Sequence, residues 1–158
     1  MATPLAHADL RARLSGEVAL SALTAGRAVV SLRSQRTGEF RTYRVAKFET
    51  SPHFSVEFRS GGSLEISGVR MPRLDGWTRI GVLYVQDGIP HRFVPNLKTH
   101  VDSDTVNGFR WMVNQLVSKT WSDEKAEIWH EGQCCKCGRR LTDPESIRLA
   151  LGPICRGR

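Results

Sequence analysis

The sequence predicts an α+β fold in which an antiparallel sheet of about six strands is covered by two helices and followed by a small C-terminal module. Three observations predict it. Residues 27–94 repeatedly alternate between apolar and polar side chains, as half-buried strands do. Residues 104–119 carry apolar side chains at helical spacing. All four cysteines lie between residues 134 and 155. We therefore place an α+β body at residues 1–125 and a separate module at residues 126–158.

The first element of the body is a predicted helix over residues 4–23, which are rich in alanine and leucine with scattered arginine. Pro4 is tolerated in the first turn of a helix, and Gly26 is suited to follow its end. Gly16 is expected to interrupt or weaken this helix.

The β-rich region, residues 27–94, contains the predicted sheet. Ala28, Val30 and Leu32 alternate with Arg27, Ser31 and Arg33, and residues 54–59 alternate strictly, which gives each strand one apolar face and one polar face. Residues 77–85 are more continuously apolar and indicate a central strand. Turn-forming residues separate the strands at residues 36–39, 60–63 and 87–88. Such a sheet needs a cover on its apolar face.

That cover is predicted to be the helix at residues 104–119. Asp102, Ser103 and Asp104 offer an N-cap and favourable charge at its start. Its apolar residues recur on one face and are expected to be core residues, not a ligand site; they are Val106, Phe109, Val113, Leu116 and Val117.

The C-terminal module has the residues of a structural zinc site. Cys134 and Cys137 form a C-x-x-C pair followed directly by a glycine, and Cys155 offers a third thiolate. Zinc takes four nitrogen or sulfur ligands. His130 is the histidine closest in sequence and is predicted as the fourth, while Cys135 remains the alternative.

The residues between these ligands predict a short helix. Thr142 or Asp143 caps it, Pro144 occupies its first turn, and Gly152 with Pro153 marks its end. So small a module depends on metal, which supplies roughly 10–16 kcal/mol of apparent free energy in comparable modules. If protein fills all four positions, no site remains for a reactive water, which argues against a metallohydrolase. A redox pair at Cys134 and Cys137 is disfavoured because the motif does not open a helix in a βαβ unit.

At this point the chain resembles a known family. The resemblance rests on Trp129-His130-Glu131-Gly132, then C-x-x-C-G-R, Leu141-Thr142, residues 144–147, and Gly152-Pro153 with Cys155. They are similar to an uncharacterised zinc-motif domain family frequent in bacteriophages and actinobacteria. The chain departs from that pattern at Leu151, where glycine is usual, and at the additional Cys135. The resemblance implies a phage or mobile-element protein and brings no established activity.

The positive charge of the chain predicts the kind of partner that it binds. The chain contains 23 Lys and Arg and has a net charge of +7, which suggests nucleic acid or an acidic protein surface as partner. One candidate surface lies around the turn near residue 38 and another lies beside the zinc motif. Their candidate binding residues are Arg33, Arg36, Arg41, Tyr43 and Arg44 in the first, and Lys136, Arg139, Arg140 and Arg148 in the second.

Two hypotheses use this basic surface. In the first, the protein is non-catalytic and binds nucleic acid through its arginines. In the second, it is a protein-binding inhibitor of a host defence complex, in the manner of an anti-CRISPR protein, or an adaptor. We do not expect an enzyme or a small-molecule substrate, because the sequence has no nucleophile elbow, P-loop or H-E-x-x-H motif. With neither a secretion signal nor an apolar span, a cytoplasmic location without membrane contact is expected. That cytoplasm is the host's if the protein is phage-encoded.

Overall fold

The computed structural model describes residues 13–59, 63–66, 69–72, 76–96 and 103–156. These residues form nine strands and four helices. In chain order they are β1 (Arg13–Leu14), α1 (Gly16–Leu23), β2 (Arg27–Ser34), β3 (Phe40–Lys47), β4 (Phe54–Arg59), β5 (Ser63–Ile66), β6 (Val69–Pro72), β7 (Trp77–Gln86), β8 (Ile89–Pro95), α2 (Ser103–Val117), β9 (Ala126–His130), α3 (Pro144–Leu149) and α4 (Pro153–Arg156).

Seven of the strands form one curled antiparallel sheet in the order β1-β9-β2-β3-β4-β7-β8. The predicted α+β class with an antiparallel sheet is confirmed. The strands differ from the prediction in two respects. β5 and β6 pair with each other as a separate two-stranded ribbon, while β1 and β9 join the main sheet from outside residues 27–94. The pairing of β5 with β6 is a local hairpin, whereas the addition of β1 and β9 depends on which distant segments pair, and a local pattern of alternation does not specify that.

The N-terminal helix is shorter than predicted. α1 begins after Ser15, whose Oγ accepts a hydrogen bond from the Val18 N–H at 3.3 Å. Residues 13 and 14 are a strand instead, because Leu14 pairs with Ile128 of β9 and is buried. The predicted helix over residues 4–23 therefore does not run through them, and its first part lies outside the described residues.

One face of the sheet forms the core with α1 and α2. The predicted cover at residues 104–119 is found as α2, and Val106, Phe109, Val113 and Leu116 are all buried. Val117 was also expected in the core, but it is 37% exposed because it ends the helix. No helix in the described part of the chain is both long and apolar enough to cross a membrane.

β9 connects the body to the C-terminal module. It lies inside the sheet between β1 and β2, and all five of its residues are buried. Residues 126–130, which were predicted as the start of the separate module, are therefore a strand of the main sheet, and the segment that follows starts from a fixed position and direction.

Candidate metal centre

Three cysteine side chains converge immediately after the sheet. The Sγ atoms of Cys134, Cys137 and Cys155 all lie within 4.8 Å of one another. A tetrahedral zinc ion with Zn–S bonds of about 2.3 Å separates its sulfurs by about 3.8 Å. The three thiols are therefore close to the spacing that a metal ion requires, as the sequence predicted for these residues.

A tight hairpin places the first two sulfurs. The Cys134 N–H donates to the Arg139 carbonyl at 2.7 Å, and the Gly138 N–H donates to the Cys134 carbonyl at 2.8 Å. Gly138 has φ +81°, a left-handed conformation that costs glycine little. Gln133 and Arg140 form a bridge that closes the hairpin. The C-x-x-C-G spacing therefore serves as predicted to reverse the chain between the two cysteines.

The third sulfur comes from a helical return. α3 is capped by Asp143, whose carboxylate accepts from the Ser146 N–H at 3.0 Å. The helix ends at Ala150, which takes the left-handed conformation (φ 57°), and the Ala150 carbonyl accepts from the Cys135 N–H at 2.8 Å. The stop predicted at Gly152 and Pro153 thus comes earlier, and Pro153 begins α4, the unpredicted helix that carries Cys155.

Backbone donors act on the most buried of these sulfurs. Burial opposes ionisation of Cys134, but N–H groups of Gly152, Cys137 and Lys136 lower its pKa to about 7. Partial desolvation and the neighbouring sulfurs raise the pKa of Cys155 to about 11. Because thiolates are the metal-binding form, the lowered pKa of Cys134 favours its binding of a metal.

His130, predicted as the fourth ligand, is not part of this group. Its Nδ1 accepts a hydrogen bond from the Gly132 N–H at 2.9 Å, and its Nε2 lies 2.5 Å from the Ile147 carbonyl oxygen. The ring is therefore neutral with its proton on Nε2. Burial lowers the pKa of His130, although the bond to Ile147 partly opposes this. In this arrangement the side chain links β9 to α3.

The alternative ligand, Cys135, also lies outside the group. Its side chain is 1% exposed, and burial raises the pKa of its thiol to about 12. Its carbonyl accepts a hydrogen bond from the Arg27 N–H at 2.6 Å. Cys135 therefore packs the module against the start of β2.

The sulfur group borders a small open pocket of about 170 Å³. Cys137 and Cys155 line it, together with Arg139, Arg140 and Asp143. The Asp143 carboxylate is engaged by the cap of α3 and lies 3.8 Å from Arg156. The expectation of four protein ligands is thus not met by the described residues, since they bring three together.

The first predicted basic surface is largely neutralised by ion pairs. Arg33 lies 3.5 Å from Glu127, Arg41 lies 3.3 Å from Glu39, and Arg44 lies 2.8 Å from Glu57. The Arg44 guanidinium also stacks over Trp77 at 4.6 Å. Arg36 differs from these three, because it is exposed and has no ion pair within the described ranges. Most of this group therefore stabilises the sheet.

Tyr43 was predicted as a base-stacking residue, but it is completely buried. Its hydroxyl donates to the Thr105 carbonyl at 2.8 Å, and its ring packs on Phe109 at 5.0 Å. We expect Tyr43→Phe to lower the free energy of unfolding by about 1–2 kcal/mol, because a buried carbonyl loses a donor. Chemical denaturation measures this. Unchanged nucleic-acid binding of the folded variant would confirm that the residue is structural, whereas weakened binding would contradict it.

The second basic surface has a different character. Its members are exposed and lack ion pairs in the described part of the chain. They lie on the metal hairpin, at the start of β2 and at the end of β3, segments that backbone hydrogen bonds join. We call it the knuckle surface, and it consists of Arg27, Lys47, Lys136, Arg139 and Arg140. Arg148 is not included, because two hydrogen bonds join it to Glu145.

Backbone contacts bring the knuckle surface together. The Arg27 N–H binds the Cys135 carbonyl, and the Lys47 N–H donates to the Gly26 carbonyl at 2.9 Å. Sequence reasoning missed Arg27 and Lys47, because they are distant from the cysteines along the chain. Arg33 lies toward the other end of β2, roughly 20 Å away at the rise of a strand, so the two basic groups are separate.

Comparison with known proteins gives one finding. No curated protein and no solved structure matches this chain. Residues 125–158, from the approach to β9 to the C-terminus and including all three converging cysteines, match the model of a family of unknown function, DUF6011.

Proposed function

We propose that this chain is a zinc-binding protein that binds nucleic acid through its knuckle surface. The observation that carries the proposal is a set of exposed cations without ion pairs among the described residues, gathered where the metal hairpin meets β2. Such cations are available to phosphate oxygens without first breaking an internal ion pair.

Zinc is proposed because of the donor set. Three cysteine sulfurs form a soft site, and soft thiolate ligands favour zinc over magnesium or calcium, which take oxygen. The metal would fix the hairpin that carries Lys136, Arg139 and Arg140, so metal binding and the basic surface are expected to depend on each other.

Phosphate contact is the expected mode of recognition. Arginine binds phosphate oxygens bidentately, and lysine binds them as a point charge. The described residues that line the neighbouring pocket include no aromatic side chain, so affinity is expected to be sensitive to salt and largely indifferent to sequence.

The test is equilibrium binding of the zinc-loaded protein to fluorescent duplex DNA, single-stranded DNA and RNA over a range of salt concentrations. Five phosphate contacts predict a log–log salt slope of up to about −4.5 for duplex DNA and about −3.5 for single strands. Removing zinc with a chelator is expected to weaken binding. If none of the three nucleic acids binds at low salt, the proposal is wrong.

A protein partner is a second candidate, favoured by a larger groove of about 690 Å³. The β2–β3 turn, α2 and the segment before β9 line it. Its charges are mixed, with Arg36 and Lys125 beside Asp104 and Glu124, and Trp111 adds an apolar surface. Mixed charge suits an adaptor or inhibitor that contacts protein better than it suits phosphate.

This candidate has its own test. A protein captured by the chain after nuclease treatment should still bind when the knuckle surface is neutralised, and it should be lost with Arg36→Glu. Capture that depends on the knuckle surface and not on Arg36 would exclude the groove as the binding site.

A further inference from the structure

We propose that the metal ion held by Cys134, Cys137 and Cys155 takes its fourth ligand from outside the chain, and that this ligand is a thiolate. The inference rests on the zinc site proposed above and specifies how that site is completed.

The nearby candidates among the described residues are engaged elsewhere, including Asp143, whose carboxylate caps α3. Both ring nitrogens of His130 are hydrogen-bonded, to the Gly132 N–H and to the Ile147 carbonyl. Moving the ring onto the metal would break both bonds and leave the Gly132 N–H without its partner in a part-buried site, which is unfavourable. Cys135 is turned into the core, where its side chain is 1% exposed and lies outside the sulfur group. Among the described residues, no fourth donor joins the three sulfurs.

The fourth position faces the pocket. Cys134 is fully buried and forms the protein side of the sulfur triangle, with the Gly152 N–H directed to its sulfur at 3.4 Å. Cys137 is exposed, Cys155 is half-buried, and both line the 170 Å³ pocket. The pocket is therefore the side from which a ligand can reach Cys137 and Cys155 and complete a tetrahedral site.

The chemistry of the site favours a thiolate. Zinc in a three-sulfur site reaches a common closed set by adding a fourth sulfur. A fourth anion increases the negative charge of the complex, and Arg139 and Arg140, which line the same pocket, offset that charge. The pocket has room for a small thiol or for a cysteine side chain of a binding partner.

The experiment uses the full chain loaded with Co²⁺, with a phosphine as reductant so that no thiol is present. Visible absorption reports the coordination of cobalt, and the sulfur-to-cobalt charge-transfer band reports the number of bound thiolates. A small thiol, 2-mercaptoethanol, is then titrated, and inorganic phosphate serves as the comparison anion. We expect saturable growth of the charge-transfer band by about a third, since the sulfur count rises from three to four, and no response to phosphate.

Two variants test the geometry. Replacing both Arg139 and Arg140 with glutamine should weaken the apparent affinity for the thiol severalfold. His130→Gln should leave the cobalt spectrum before and after thiol addition unchanged. If the wild-type cobalt spectrum does not change when the thiol is added, the inference is wrong. It is also wrong if the spectrum of His130→Gln shows one ligand fewer than the wild type, even if that variant is less stable. Failure to bind cobalt at all would instead overturn the zinc site itself.

Discussion

Replacing Cys134 with alanine is expected to abolish stoichiometric zinc binding and to release the C-terminal module from its fixed structure. The reduction in affinity should exceed the roughly 10–100-fold that follows from removing a hydrogen-bond partner of a metal ligand. Because metal supplies roughly 10–16 kcal/mol in comparable modules, residues 131–156 should lose their order without it. Zinc content by mass spectrometry measures the first effect. Hydrogen exchange measures the second, with faster exchange expected in residues 131–156 and continued protection in β2, β3 and β4.

The matched control for this change is the neighbouring thiol. Cys135→Ala removes a sulfur of the same kind one residue away, but its sulfur packs in the core and does not face the other three. A buried cysteine behaves as a small apolar side chain, so we expect retention of one zinc per chain and a decrease of about 1 kcal/mol in unfolding free energy. Zinc loss in the Cys135 variant, or zinc retention in the Cys134 variant, would contradict the ligand assignment.

Neutralising three members of the knuckle surface is expected to have the second large effect. The triple substitution Lys136→Gln, Arg139→Gln and Arg140→Gln removes charges that no described acidic group pairs with. Each charge-assisted hydrogen bond contributes roughly 1.5–3 kcal/mol, and partial solvation lowers that figure, so affinity for nucleic acid should fall about 10²–10³-fold at low salt. The magnitude of the salt slope should fall by about 0.9 for each duplex phosphate that the variant no longer neutralises. Fluorescence anisotropy over a salt series measures both quantities.

Arg148→Gln is the control for this prediction. It removes one positive charge from the same module, but that charge is already paired with Glu145 through two hydrogen bonds. Binding should change less than about twofold, the scale of an exposed pair of small net value. Equal decreases in the Arg148 variant and in single knuckle variants would mean that only net charge matters. An unchanged salt slope in the triple variant would exclude the knuckle surface as the site of phosphate binding.

The arginines of the two surfaces differ in the groups that they already contact. Glu127 forms ion pairs with both Arg13, at 3.1 Å, and Arg33, at 3.5 Å, although it is only 8% exposed. Removing one partner of a mostly buried carboxylate destabilises the fold. Weaker binding after substitution of Arg33 could therefore result from disrupted pairing of β1, β9 and β2. Lys136, Arg139 and Arg140 form no ion pair with a described residue, so their substitution does not disturb the sheet in this way.

Local spacing determined much of the chemistry in this protein. Cys134, Cys137 and Gly138 are so close along the chain that their spacing alone fixes a reversing hairpin, and Asp143 with Pro144 defines the start of a helix by the same local rules. The apolar period of α2 and the alternation of β2 and β4 likewise follow from single elements. These features depend on neighbours within a few residues, so the sequence could predict them without knowing the rest of the fold.

Only the tertiary structure decided which groups remained free to act. The role of His130 depends on the Ile147 carbonyl reaching its ring, and the burial of Tyr43 depends on α2 lying over β3. Arg33 became part of the sheet because β9 inserts beside β2 and brings Glu127 to it. The same insertion places the cysteine hairpin against Arg27. Pairing between distant segments is set by the packing of the whole sheet and is not encoded in any local period. The composition could therefore indicate a basic protein. Which cations remain without ion pairs among the described residues depends on the order of the strands.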